Sequence, residues 1–383
     1  MPWKETRVMD QKIQMISNWL SGEYSITELS RIHEVSRKTL YKWIERYEAD
    51  QDSGLQDGSR RPVTIPRATP AEIVAEILAS RTQHEHWGSR KLLAWLKKHD
   101  PDTKWPAVST TSEILKRHGM IHARRKRHHT PPYTAPFSKA TCPNEVWCAD
   151  YKGQFRLGSK RLCYPLTITD SYSRYLLECW GLEHPTYLET RARFEKTFRE
   201  YGLPSAIRTD NGEPFASVGL GGLSKLAVWF VKLGIIPERI EKGHPEQNGR
   251  HERMHRTLKE EAISPPRKSL REQQRAFDRF RDYFDDDRPH EALGQNPPSS
   301  IYRPSSREYP AILSEASYPG NFNVRRVKPN GDFKWKNTEI YLSGALAGEL
   351  VGLKPVDNEI CDIYYSFYPI GILDEKTLRI TSC

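Results

Sequence analysis

The stretch EVWCADYKGQFRLGSKRLCYPLTITDSYSRYLLECWGL, residues 145–182, decides the fold class. It contains three runs of strand type, 145–155, 161–170 and 174–182, rich in β-branched and aromatic residues and divided by short polar segments. After it, an amphipathic helix runs through Tyr187, Phe194 and Phe198, and AIRTD (206–210) reads as a short strand. Further helices are expected over about 222–234, 247–262 and 268–285. Three hairpin-like strands, then helix, strand and helices, predict an α/β layer fold. Past the Pro-rich segment 295–310, residues 322–381 read as all-β. There Phe333, Trp335, Ile340, Tyr341, Val351, Ile363, Tyr365 and Ile370 would line a small sheet or barrel.

Upstream the texture is helical. Ile13, Ile16, Trp19 and Leu20 recur at helical spacing before the break at Ser21-Gly22. A second helix opens at Ile26-Thr27, and a tight turn at 33–36 leads to a third carrying Leu40, Trp43 and Ile44. Two short helices joined by such a turn form a helix-turn-helix, which would present Arg37, Lys38, Thr39 and Lys42 to a DNA major groove. An ordinary helical bundle with a solvated basic face is the alternative. Residues 51–70 have linker composition, and a second helical block at 71–121 is a further helix-turn-helix candidate. Next come four consecutive cations, Arg124, Arg125, Lys126 and Arg127. In this setting they read as an arm along a phosphate backbone rather than a plain linker. The nearby His122, His128 and His129 lack a matching cysteine pair, which disfavours a zinc site.

Charge follows the same division. The 383-residue chain carries a net charge of +10, of which +8 lies in residues 1–140. A basic front and a balanced remainder point to a polyanion gripped mainly by the front. No apolar run approaches the roughly 20 residues of a membrane span, and the first residues lack a signal-peptide pattern. Six cysteines without Cys-x-x-Cys spacing are expected to be reduced, in a cytoplasmic protein.

Three acidic positions carry the chemistry. Asp150 interrupts an otherwise apolar strand, where a carboxylate is costly to bury unless it meets a cation. Asp210 ends AIRTD and precedes the turn pair Asn211-Gly212, at the kind of strand end where α/β sheets bind ligands. The third lies in 243–261, where Glu246 and Glu252 compete. Converging carboxylates repel one another unless divalent cations hold them ionised, and oxygen-only ligation suits Mg²⁺ or Mn²⁺. Two such ions could serve in-line displacement at a phosphate.

The phrases Thr209-Asp210-Asn211-Gly212-Glu213-Pro214-Phe215 and His244-Pro245-Glu246-Gln247-Asn248-Gly249-Arg250-His251-Glu252-Arg253 resemble the integrase catalytic core of retroviral integrases and bacterial insertion-sequence transposases. Arg288-Pro289-His290-Glu291-Ala292-Leu293, with Pro297-Pro298, is similar to the end of that core in the transposases. The resemblance covers roughly 135–305. It implies a ribonuclease-H-like fold, an Asp-Asp-Glu metal site and DNA strand transfer by direct attack of a 3′-hydroxyl. The usual spacing fits Asp210 to Glu246, which leaves 35 residues between them; Asp210 to Glu252 leaves 41. The local pattern selects Glu252, because the Pro-x-x-x-Gly turn, here Pro245–Gly249, precedes the glutamate. The Gly-rich insertion 217–222 accounts for the extra length. Arg256 and Lys259 then share the face of Glu252, and His244, Asn248 and Arg250 are expected to contact DNA, with stabilisation of their loop as the alternative. His255, beside that face, receives no role.

The expected organisation is thus helix-turn-helix units at 1–60 and 68–122, a basic linker at 123–138, the core at 139–305 and a β-rich domain at 320–383. The expected function is that of a metal-dependent transposase acting on double-stranded DNA as a homo-oligomer. An inactive DNA-binding repressor derived from a transposase is the alternative. Removal of residues 1–130 should weaken DNA binding and flatten its dependence on salt, because most of the excess cations leave with them. An unchanged salt slope in fluorescence anisotropy titrations would refute that division of labour.

Overall fold

The computed structural model describes residues 8–58, 68–121, 140–217, 220–241, 249–357 and 359–382. The chain divides into two compact units, Met1–Thr69 and Pro70–Cys383. No helix among the described residues is long and apolar enough to cross a membrane.

The first unit holds α1 (Val8–Leu20), α2 (Ile26–Ile32) and α3 (Arg37–Gly54). Helix α2 begins in a capping box: Ser25 accepts from the Glu28 amide, while the Glu28 carboxylate accepts from the Ser25 amide at 2.8 Å. Ser36 caps α3 by accepting from the Thr39 amide at 3.2 Å. Met15, Ile16, Leu29, Leu40, Ile44 and Leu55 form the buried core between the helices. Arg37, Lys38 and Lys42 are exposed along the start of α3.

In the second unit, α4 (Ala71–Gln83), α5 (Ser89–His99) and α6 (Val108–Arg117) close around Ile77, Trp87, Leu92, Leu96 and Leu115. The sheet follows: β1 (Val146–Tyr151), β2 (Phe155–Arg156), β3 (Leu162–Asp170), β4 (Leu176–Leu182), β5 (Ala206–Thr209) and β6 (Ile236–Arg239). Its strand order is β2-β3-β1-β5-β6, with β4 also paired to β3. Strands β1, β5 and β6 are mutually parallel, whereas β3 runs antiparallel to β1, β2 and β4. Strand β6 carries Pro237 and two charged residues, so it lacked the apolar run that marks a strand in sequence.

Helices α7 (Tyr187–Tyr201), α8 (Lys225–Lys232), α9 (Gly249–Leu258) and α10 (Leu270–Asp286) cover the sheet in two sets. Trp147, Ala149, Leu166, Ile168 and Ile207 pack with Phe194, Phe198, Trp229 and Phe230 of α7 and α8. Leu176 and Cys179 of β4 pack instead with Met254 and Leu258 of α9 and Phe277, Phe280 and Phe284 of α10. The period-two alternation of the strands sorts the side chains between these two layers.

Two further contacts complete the unit. Trp95 of α5 donates its indole N–H to Asp287 at 2.9 Å, and Tyr283 of α10 hydrogen-bonds His84 at 2.8 Å. The block that reads in sequence as a separate domain therefore rests on the end of α10. Beyond the core, β7 (Asn323–Arg326), β10 (Leu350–Asp357), β11 (Ile360–Tyr365), β12 (Tyr368–Asp374) and β13 (Arg379–Thr381) form an antiparallel sheet. A hairpin of β8 (Asp332–Trp335) and β9 (Thr338–Tyr341) joins its hydrophobic cluster. That cluster takes Ala227, Val228 and Val231 from α8, whose other side gives Leu226, Trp229 and Phe230 to the core. Covered by both layers, α8 is apolar nearly all round.

Phe198→Ala should destabilise the second unit by about 3–5 kcal/mol in urea unfolding, since its ring is fully buried between α7, α8 and the sheet. Ile312→Ala, at a side chain 82% exposed, should change stability by less than about 0.5 kcal/mol.

Candidate active site

Parallel pairing brings the two aspartates to one place. Ala149 of β1 lies opposite Thr209 of β5, so Asp150 and Asp210, each one residue further on, sit side by side at the C-terminal end of these strands. Asp210 accepts from the Gly212 amide at 3.1 Å. A Cβ at Gly212 would stand 3.0 Å from the Asp210 carboxylate, so a residue without one permits this tight turn. Asn211 donates to the Ile240 carbonyl at 2.6 Å, tying the turn to the end of β6. Glu252 is exposed in the first turn of α9. Arg250, Arg256 and Lys259 are exposed as well. Arg124, Arg125, Lys126, Arg127, His244, Glu246 and Asn248 lie outside the described residues.

Electrostatics tie these carboxylates together. Burial, reinforced by the charges of Asp210 and Glu252, pushes Asp150 up to about 7; its own Tyr151 amide and Lys152 pull the other way and are outweighed. Burial also raises Asp210, and the Gly212 amide opposes it. Converging carboxylates held above their ordinary range are short of countercharge. Oxygen donors of this kind fit a hard divalent cation.

Beneath Asp150 lies a buried polar network that sequence reasoning missed. Leu166 and Ile168 of β3 face α7 and α8, so Thr167 and Thr169 face α9. From that helix His251 and His255, one turn apart, reach the same hydroxyl. Thr167 Oγ1 lies 2.8 Å from His251 Nε2 and 2.7 Å from His255 Nε2. It also donates to the Asp150 carbonyl at 3.1 Å. With the hydroxyl proton committed there, both imidazoles act as N–H donors to Thr167. Thr169 then donates to His251 Nδ1 at 2.9 Å. His255 Nδ1 is left as a lone pair, 3.9 Å from the Asp150 carboxylate. Burial keeps both rings neutral, holding His251 down near 3 and His255 near 2, the latter also opposed by His251 and Lys152. Asp150, His251 and His255 together place one potential ligand atom each within 4.8 Å of one another. The available signal was the i, i+4 spacing of His251 and His255 opposite the alternating Thr167 and Thr169.

Cations converge on the flank of α9. Arg174, at φ +69 in the β3–β4 turn, and Arg250 both donate to the Ser171 carbonyl, at 2.9 and 3.3 Å. Burial first, and then Arg250 and Arg253, bring Arg174 down to about 10. Lys91 of α5 is lowered to about 8 by burial, with Arg288 and Arg253 adding to it. No stretch of sequence announces this cluster, because its members come from four separate stretches of the chain.

The family models agree with this architecture. Models of the integrase core domain match residues 140–245 and 233–298. A helix-turn-helix model matches 11–62, and a homeodomain-like model matches 39–115. The chain carries an integrase core domain. It is 23% identical over 288 residues to an uncharacterized protein of insertion element IS476 from Xanthomonas euvesicatoria, covering 74% of this chain and 79% of that one. A protein of insertion element IS407 from Burkholderia multivorans is 24% identical, covering 59% of this chain and 80% of that one. The Pol polyprotein of Radiation murine leukemia virus is 25% identical over 50% of this chain and 32% of its own. Among solved structures, the HTLV-2 integrase catalytic core in complex with magnesium is 17% identical, covering 43% of this chain and all of that one, with a TM-score of 0.35.

The Asp150 shift sets a pH response. An acid raised from 3.8 to about 7 in the folded integrase core holds a proton that the unfolded chain has released, so stability falls as pH climbs through that window. Neutral His251 and His255 act in the opposite sense, favouring the folded state as pH rises through the ordinary imidazole range, so the Asp150 contribution is read as a difference: in EDTA, Asp150→Asn should gain more urea resistance, or lose less, than wild type between about pH 5 and about pH 8. Identical pH responses in the two proteins would exclude Asp150 as the source.

Proposed function

We propose that this protein is a transposase that cuts and joins the DNA of a mobile element through a metal site formed by Asp150, Asp210 and Glu252. One observation carries the reading: β1 and β5 set Asp150 and Asp210 side by side, and Glu252 acts on Asp150 from the first turn of α9. The insertion-element relatives support it, and the shortage of countercharge at the carboxylates suits a divalent cation.

Mg²⁺ or Mn²⁺, when bound, would supply charge neutralisation and Lewis-acid polarisation at the scissile phosphate. The chain's own residues do the rest. The carboxylates of Asp150, Asp210 and Glu252 would hold the ions. Arg174, Arg250 and Arg253, with Arg256 and Lys259 further along the helix, would steady the DNA phosphates beside the carboxylates. Strand transfer needs a 3′-hydroxyl oxygen to form a new bond to phosphorus. The bridging oxygen on the far side leaves with its electron pair, and the hydroxyl proton passes to solvent. One phosphodiester is exchanged for another, so no external energy source is required. Arg37, Lys38 and Lys42 on α3, with the basic segment 124–127, would select and grip element ends. Joining two ends calls for more than one copy of the chain.

The test is incubation of the purified protein with terminal-repeat DNA and Mg²⁺. Strand-joined product is expected, and replacing Asp150 or Asp210 by Asn, or Glu252 by Gln, should lower it by at least about a thousandfold while duplex binding persists. Binding without joining or nicking in the wild type would favour a repressor instead, and nicking without joining a hydrolytic nuclease. If Glu246→Gln is inactive and Glu252→Gln active, the third carboxylate has been misassigned.

A further inference from the structure

The two strands that bear on the site are held by backbone pairing, in which Asp150 faces Thr167 directly. Among the described residues, helix α9 has no backbone bond to the sheet of that kind. Its apolar contacts, Met254 and Leu258, are non-directional and tolerate sliding. Its directional contacts are few: Thr169 bonds His251, Arg250 bonds the Ser171 carbonyl, and Thr167 alone among them engages two turns of the helix. Thr167 Oγ1 takes a hydrogen bond from each of two successive helical turns, at 2.8 Å from His251 and 2.7 Å from His255. Those histidines bracket Glu252, one residue before it and three after. The same oxygen donates to the backbone of Asp150 at 3.1 Å.

A helix advances about 1.5 Å per residue, so a slip of one residue, or a modest rotation, would break both histidine bonds together. An apolar contact would serve cohesion as well as these polar groups, which must be desolvated to be buried there. Their distinctive contribution is position. All three are almost wholly buried: Thr167 is 0% exposed, His251 2% and His255 5%.

We propose that Thr167 is a positioning residue: its hydroxyl locks the Glu252 helix onto the Asp150 strand and thereby sets the spacing of the carboxylates that hold the metal. This rests on the reading of Asp150 and Glu252 as metal ligands. Thr167 itself has no hydrogen bond to a carboxylate among the described residues, so it acts through geometry alone.

The experiment uses the full chain and compares Thr167→Val with Thr167→Ser. Valine keeps the shape and leaves two buried N–H groups without an acceptor; serine keeps the hydroxyl. Mn²⁺ affinity is read by titration calorimetry, and the freedom of α9 by hydrogen exchange at residues 253–258. Duplex affinity is read by anisotropy. Thr167→Val should bind Mn²⁺ about tenfold more weakly, the equivalent of losing one or two buried hydrogen bonds, and should exchange faster in α9. Thr167→Ser should stay within about threefold of wild type in metal affinity, and both variants should bind duplex DNA as wild type does. A folded Thr167→Val with unchanged Mn²⁺ affinity overturns the proposal, provided Asp150→Asn loses that affinity. If Asp150→Asn also binds Mn²⁺ normally, the metal reading has failed, and the lock then stands or falls on α9 exchange alone. Should Thr167→Val not fold, His255→Phe removes one of the two donors at similar ring volume and is judged by the same readings.

Discussion

Charge at Asp150 is the constraint around which the rest of the core is arranged. The strand that carries it is buried along most of its length, with Trp147 and Ala149 committed to the layer under α7 and α8. Period-two geometry then leaves Asp150 no choice but the opposite face, where two more carboxylates act on it. Such an arrangement is unfavourable by itself. A fold that retains it gives up stability there, which is the trade expected of a binding centre.

Next to Asp150, the face opposite the aromatic layer is accordingly polar, whereas toward β4 it is apolar. Thr167 and Thr169 line it from β3, and Arg208 of β5 forms a 2.7 Å ion pair with Glu238 of its neighbour β6. Against this face lies α9, apolar at Met254 and Leu258 but histidine at the two positions that meet the threonines. Every nitrogen and hydroxyl in the group except His255 Nδ1 finds a partner, and that lone pair looks toward Asp150. Satisfied polar networks of this kind allow little adjustment, because each donor has one acceptor at one distance.

Neighbouring layers brace the core from outside. Helix α8 is shared between the aromatic layer and the C-terminal sheet, and the α4–α6 block rests on α10 through Trp95, His84 and Tyr283. Lys91 thereby stands near Arg253 and Arg288, which joins a helical block of DNA-binding type to the cationic flank of α9. This coupling makes the block and the core a single compact unit rather than two beads on a linker.

Much of this was legible in the residues alone. Alternation in LCYPLTITD and the apolar run VWCAD marked strands, helical spacing marked α7 and α10, and Asp-Asn-Gly marked the strand-end turn, since each pattern is local and follows from backbone periodicity or turn chemistry. Strand β6 escaped because Pro237 and its charged neighbours carry no such pattern; parallel pairing with β5 makes it a strand. The carboxylates could be picked out as an anomaly, but not the hydroxyl beneath them or the arginines beside them. Thr167 and His255 are separated by 88 residues of chain, and Lys91 and Arg253 by far more. Only the packing of helix on sheet decides which of these meet. Sequence determines which face a side chain takes on its own element, whereas what it meets across the layer depends on the register and tilt set by every other contact.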